Sequence, residues 1–248
     1  MSAGAEEEVQ VTGEQPRDDA QGLEAWRVIV TIPEFPLVYD ETALLVIDLT
    51  VGQIGLDGDR YRRIVAAGKQ EDAAYAYDRC WDTVVPATRR LLEAFRANGA
   101  PVIFTTCASL RGDGSDQTWR HRMLGHTTRA DSRDAQVVEE LAPLPTEPVL
   151  VKTGSSVFNS TNVEHLLRNL GVTTLVMTGV WTNSCVEGAT RDAGDLDFRV
   201  MLAEDCCAAM SPRGHRNALD YLDANFCHVR SADQIIARLP ADTAAARG

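Results

Sequence analysis

The chain has 248 residues, 44% of them hydrophobic, and a formal net charge of −12. That is enough apolar material for one large core or two small ones. The acidic balance, without a Lys/Arg cluster, argues against nucleic acid as a partner, and no apolar run nears the roughly 18 residues that a membrane-spanning helix needs.

Residues 1–24 read as an acidic leader, in which Glu6, Glu7, Glu8, Glu14, Asp18, Asp19 and Glu24 stand against Arg17 alone. The segment has no apolar periodicity and is expected to be disordered at least up to Gly22. It lacks the basic and apolar regions of a signal peptide. Six cysteines follow, at 80, 107, 185, 206, 207 and 227, with no CxxC pair and no Cys/His cluster at zinc spacing. They read as reduced thiols of a cytoplasmic protein without a structural metal.

From residue 43 onward, short apolar runs alternate with amphipathic stretches. Strands are predicted at 43–48 (ALLVID), 101–106 (PVIFTT), 149–152 (VLVK), 174–179 (TLVMTG), 199–205 (RVMLAED) and 227–230 (CHVR). Their continuous apolar character is that of strands covered on both faces. Helices are predicted near 82–98, 134–141, 161–170, 184–194, 212–224 and 232–239. Asn98-Gly99 closes the first, Thr161 caps the third, and Ser211-Pro212 opens the fifth. Val163, Leu166, Leu167 and Leu170 form one stripe of the third. The segment 52–80 breaks the alternation and reads as a loop with a short helix over one sheet edge. The whole predicts a single α/β domain over residues 25–248, a parallel sheet between two helical layers.

In such sheets ligands bind outside the carboxyl ends of the strands. Three reactive side chains fall there: Asp48 after the first strand, Lys152 at the end of the third, and Cys185 in the turn after the fourth. A thiol attacks as thiolate, and a helix N-terminus with a nearby ammonium favours that form. A carboxylate within reach takes the thiol proton and hands it to a leaving amine. The turn before Cys185 supplies backbone N–H groups, the material of an oxyanion hole.

Asp48 after an apolar strand, Lys152 before SxxF, and 179–193 (GVWTNSCVEGATRDA) together resemble the isochorismatase-like cysteine hydrolases. The resemblance runs from about 43 to 231. It implies a three-layer αβα, Rossmann-like fold with a six-stranded parallel sheet, and an Asp48–Lys152–Cys185 triad. It also implies a cis peptide at Val180–Trp181, with the N–H groups of Trp181 and Cys185 as the oxyanion hole. The implied reaction is hydrolysis of a small amide, N-carbamoyl or ureido compound through a thioester, with loss of ammonia. Dimers or tetramers are the implied assembly. No cofactor is implied: nicotinamidases of the superfamily hold a metal through a histidine two residues after the aspartate, and Thr50 stands there.

Two positions depart from the family pattern, both where a pocket wall is expected. The stretch 49–53 (LTVGQ) replaces a polar-aromatic one, and Trp181 replaces a small aliphatic residue. Phe158, Trp181 and Asn183 are the candidate pocket residues. Trp119, Arg120 and His121 read as a solvated loop, Arg191 and Asp192 as structural ion-pair formers, Cys206-Cys207 as a packed pair, and His215 as a helix-face residue. Two other readings stay open: ether-hydrolase or lyase chemistry on the same fold, and a non-enzymatic interaction module.

Overall fold

The computed structural model describes residues 19–125 and 127–240. Residues 1–18 of the expected leader lie outside them. Residues 19–24 do not behave as leader but belong to helix α1 (Asp19–Ile29). Arg27 carries the reason, pairing with Glu24 one turn back and with Asp223 at 3.4 Å, a distant anchor that local composition does not reveal.

The body then alternates strands and helices. Strand β1 (Thr42–Ile47) is followed by α2 (Val51–Ile54), α3 (Asp59–Ala66), α4 (Gln70–Arg79) and α5 (Val85–Ala97). Next come β2 (Val102–Cys107), α6 (Trp119–Met123), β3 (Val149–Lys152), α7 (Val163–Asn169), β4 (Thr174–Val180) and α8 (Glu187–Asp195). The chain closes with β5 (Arg199–Ala208), α9 (Pro212–Leu222), β6 (His228–Arg230) and α10 (Ala232–Ile236). All strand pairs are parallel, in the order β3-β2-β1-β4-β5-β6.

Alternation along the strands builds two cores. Leu44 and Val46 face a layer holding α4, α5 and α10, whereas Leu45 and Ile47 face α7, α8 and α9. Helix α5 joins the first core through Leu91, Leu92 and Phe95, all on its inner face. Each such large apolar side chain stabilises the fold by roughly 1.5–3 kcal/mol through burial. Among the described residues no helix is long and apolar enough to cross a membrane.

Two sequence expectations need correction. Segment 52–80 is mostly helical, not loop. Helix α3 fully buries none of its residues and packs only through the partly buried Tyr61 and Ile64, while α4 buries only the small Ala73 and Ala76 with Tyr77. A π-turn at Cys80–Val84 then leads into α5, next to Pro86, whose missing N–H interrupts the regular ladder.

The helix expected at 134–141 is also absent. Two 3-10 turns, Arg133–Ala135 and Glu139–Leu141, flank an extended stretch. Its backbone is committed elsewhere: Val51 N–H donates to Gln136 O and Val138 N–H to Leu49 O. The predicted helix ends fare better. Ser211 Oγ accepts from Gly214 N–H at the start of α9, and Gly99 takes φ 65 after α5. Thr161 Oγ1 accepts from Val163 N–H, although the helix begins two residues later than expected.

Candidate active site

The strand order places a switch point between β1 and β4. From β1 the chain runs outward to β2 and β3 on one side, then crosses back to β4 on the other. A crevice opens at the carboxyl ends of two such strands. Asp48 leaves β1 with φ 55, a left-handed conformation that aspartate tolerates better than most side chains. Thr105, in β2, fixes it twice: its carbonyl accepts the Asp48 N–H at 3.2 Å, and its hydroxyl donates to Asp48 Oδ1 at 2.8 Å.

Lys152, the last residue of β3, reaches across to the same point. Its Nζ lies 2.7 Å from Asp48 Oδ2, 3.3 Å from Cys185 Sγ and 3.1 Å from Gly154 O. Three directed donors thus meet three acceptors, as an ammonium buried without water requires. The carboxylate, amine and thiol singled out in the sequence are brought into one buried cluster.

The electrostatics of the cluster differ from the sequence expectation in one respect. Lys152 is held above its ordinary range: burial works against the ammonium, but the charge of Asp48, then of Cys185 and Cys107, outweighs it. Cys185 was expected to be lowered by the helix N-terminus and the ammonium, yet its thiol is raised. Burial is the main cause; Lys152 opposes it, while the Asp48 charge and hydrogen bond favour the protonated thiol. Cys185 Sγ thus lies beside a Lys–Asp ion pair whose two charges act on its thiol in opposite directions. Cys107, nearby, is pushed by burial up to about 12.

The turn that carries Cys185 is built by close approach. Gly179, at φ 117, lies so near β1 that a Cβ there would sit 2.0 Å from Ile47 O. The Val180–Trp181 peptide is cis, and a π-turn over Thr182–Val186 follows, with α8 starting only at Glu187. Cys185 therefore sits in that turn and not in the helix proper. The two departures from the family pattern meet here: the indole Nε1 of Trp181 donates to Gln53 Oε1 at 3.1 Å. Trp181 also packs edge-on against Tyr77 and lies under the guanidinium of Arg60, 5.9 Å from the ring centre.

The other sequence candidates separate. Phe158 packs on Phe198, just ahead of β5, in the core beneath α7 and α8, so its ring belongs to packing. Asn183 is exposed, and its amide lies beside Gly214 in α9. Arg191 pairs with Glu187, and Asp192 accepts from Asn159. Cys206 and Cys207 are free thiols on opposite faces of β5, one in each core.

Two residues differ from the sequence expectation or escape it. His121 is buried, not solvated; its Nδ1 lies 2.7 Å from Thr118 Oγ1. Burial, Lys152 and Arg120 lower it, with Asp48 opposing, so the imidazole belongs to the electrostatic surroundings of the cluster. Arg60, from α3, is lowered by burial, against which Tyr77, Cys185, Cys107 and Asp48 all act. His215 shares the buried face of α9 with Leu219 and Leu222, as the helix-face reading expects, and lies between Arg79 and Thr182.

Comparison with known proteins gives this geometry a context. The family model described as the isochorismatase domain matches residues 42–234. N-carbamoylsarcosine amidase of Arthrobacter sp is 32% identical over 165 residues, 64% of this chain and 62% of that one; the match spans less than two thirds of that relative. Ureidoacrylate amidohydrolase of Stutzerimonas stutzeri (strain A1501) is 30% identical over 233 residues, covering 86% of this chain and 90% of its own. The solved structure of a cysteine hydrolase from Pseudomonas syringae pv. phaseolicola 1448A aligns with a TM-score of 0.70 at 25% identity, over 84% of this chain and 96% of that one. The chain belongs to the isochorismatase family of hydrolases.

Proposed function

We propose that this protein is a cysteine amidohydrolase that cleaves the C–N bond of a small amide, N-carbamoyl or ureido compound and releases ammonia. The observation that carries the reading is the contact of Lys152 Nζ with both Asp48 Oδ2 and Cys185 Sγ inside one buried cluster. The amide-cleaving relatives support the bond class.

The reaction begins with transfer of the Cys185 thiol proton to Asp48. Lys152 stabilises the thiolate as its ammonium already balances the carboxylate. The sulfur adds to the substrate carbonyl carbon, and the backbone N–H groups of Trp181 and Cys185 receive the oxyanion. Losing one such donor typically costs about 3–4 kcal/mol of transition-state stabilisation. Collapse breaks the C–N bond, and Asp48 returns its proton to the departing amine. Water, deprotonated by Asp48, then attacks the thioester carbon; the product acid leaves and Cys185 recovers its proton. No metal or cofactor enters these steps.

Arg60 sharpens the substrate class. Its guanidinium lies over the Trp181 ring, 5.9 Å from the ring centre, a placement beside the nucleophile turn suited to a substrate that carries a carboxylate. We assign Trp181 to the substrate site beside it. We assign the protein to the cytoplasm as a homo-oligomer. The exposed apolar side chains of Trp119 and Met123 on α6, the helix that also carries buried His121, and of Leu124 at its end support an assembly. A single 27.1 kDa species in sedimentation would contradict that assembly.

The test is ammonia release from biuret, N-carbamoyl amino acids, ureidoacrylate analogues, maleamate and nicotinamide, with Cys185→Ala and Asp48→Asn alongside. Release that disappears in both variants is the expected result. Release that survives Cys185→Ala refutes the thiol mechanism.

A further inference from the structure

The turn that carries Cys185 is held from outside by a chain of side chains that the mechanism above does not use. Arg79 ends α4, on one face of the sheet, and its guanidinium reaches over the carboxyl end of β5. There Nε donates to Cys207 O and Nη2 to Glu204 O, both at 3.0 Å. Nη2 also lies 2.9 Å from Nε2 of His215, which comes from α9 on the opposite face. The other ring nitrogen, Nδ1, lies 2.8 Å from Oγ1 of Thr182. Thr182 is buried and stands three residues before Cys185, between the two backbone N–H groups assigned to the oxyanion.

Chemistry fixes the protonation of this chain without further assumption. A guanidinium only donates, so His215 Nε2 must be the bare, accepting nitrogen. The ring proton is therefore on Nδ1, and Nδ1–H donates to Thr182 Oγ1. A second ring proton would place two N–H groups against each other at the Arg79 contact. The surroundings agree: burial first, then the charges of Arg79 and Arg216, hold His215 down at about 4. The ring itself is fixed by the cap of its helix, where Ser211 Oγ accepts Gly214 N–H and Ser211 O accepts His215 N–H. Gly214 lets α9 approach the turn, since a Cβ there would lie 3.1 Å from the Asn183 amide.

We propose that His215 is a positioning residue for the nucleophile turn: pinned by Arg79, it donates to Thr182 and holds the backbone between Trp181 and Cys185 in register with Asp48 and Lys152. The proposal rests on the reading of Cys185 as nucleophile. A residue that merely fills space at this point acts through volume. One that positions acts through a single hydrogen bond, and the two are separable by shape-conserving substitutions.

The experiment compares Thr182→Val, Thr182→Ser, His215→Phe and the double variant Thr182→Val/His215→Phe. Ammonia release is measured with N-carbamoylsarcosine and with an N-carbamoyl amino acid series, and thermal melting is recorded for each protein. Thr182→Val keeps the side-chain shape and removes the acceptor. It is expected to lower kcat about 10-fold or more while KM stays within about two-fold. Thr182→Ser, which restores the acceptor, is expected to return kcat to within about three-fold of native. The double variant should lose no more than the worse single one, because both cut the same bond. Native kcat in Thr182→Val, or losses that multiply in the double variant, would overturn the positioning role while leaving the hydrolase reading intact. No turnover by the native protein on any of these compounds would remove that reading, and the proposal with it.

Discussion

Lys152 Nζ and Asp48 Oδ2 stand 2.7 Å apart with their side chains 0% and 2% exposed, the most deeply buried ion pair among the described residues. Two opposite charges out of water stabilise each other only as a pair, and removing one typically costs about 3–5 kcal/mol because the survivor is left buried and uncompensated. Lys152→Met should therefore destabilise the fold by that order in urea unfolding, and abolish ammonia release. The double variant Lys152→Met/Asp48→Leu should recover most of the stability and none of the activity. A double variant as unstable as the single one would contradict the pairing account.

Arg60 is expected to act in binding and not in bond cleavage. Arg60→Gln should raise KM for an N-carbamoyl amino acid by about 10-fold or more, since it removes a charge-assisted contact with the substrate carboxylate. Its KM for an uncharged amide should hardly change. Equal effects on charged and uncharged compounds, measured by initial rates, would show that Arg60 supports the fold near Trp181 instead.

The depressed histidine makes a pH prediction with a defined sign. His215 is ordinarily half-protonated at 6.5 and in the fold only at about 4. Between those values the unfolded chain binds a proton that the native state refuses. Its contribution is thus complete above pH 6.5 and is lost as pH falls toward 4, up to roughly 3 kcal/mol in total. His121 is lowered too and adds a loss of the same sign. Urea unfolding at pH 7.5, 6 and 5 should show a steeper acid loss in native protein than in His215→Phe. Parallel profiles would contradict the assignment of a buried neutral ring.

Gly179 is where the chain admits no side chain. A Cβ would lie 2.0 Å from Ile47 O and 2.7 Å from Ile47 N and C, in a backbone conformation already at φ 117. Gly179→Ala should cost more than about 3 kcal/mol, or prevent folding. Gly171, at φ 73 with nothing within 4 Å of its added Cβ, provides the control; Gly171→Ala should cost about 1 kcal/mol. Melting temperatures of the two variants that agree would refute the close-approach argument.

How far the sequence could be read depended on how local each signal was. The central strands β1, β2 and β4 appear as apolar runs because both faces of the sheet are covered there, whereas the edge strands β3 and β6 are only partly buried. Asp48, Lys152 and Cys185 were legible because each follows or ends such a run. Segment 52–80 was not, because α3 turns no residue fully inward and α4 inserts mainly alanine. The false helix at 134–141 had suitable spacing, but its backbone bonds go to residues 49 and 51. The helix face of His215 is legible from Leu219 and Leu222 at helical spacing, but its partners, Arg79 and Thr182, lie 136 and 33 positions away in sequence. Nothing in the composition of α9 discloses either.

The Cys185 sulfur is the attacking atom of the proposed reaction, and mass spectrometry of the rapidly quenched reaction tests that role. With the best compound of the substrate panel, the peptide containing Cys185 should gain the mass of the acyl fragment, appearing before product and decaying at the rate of turnover. Cys185→Ala should show neither adduct nor product. Steady turnover with an unmodified Cys185 peptide at every quench time would contradict the account.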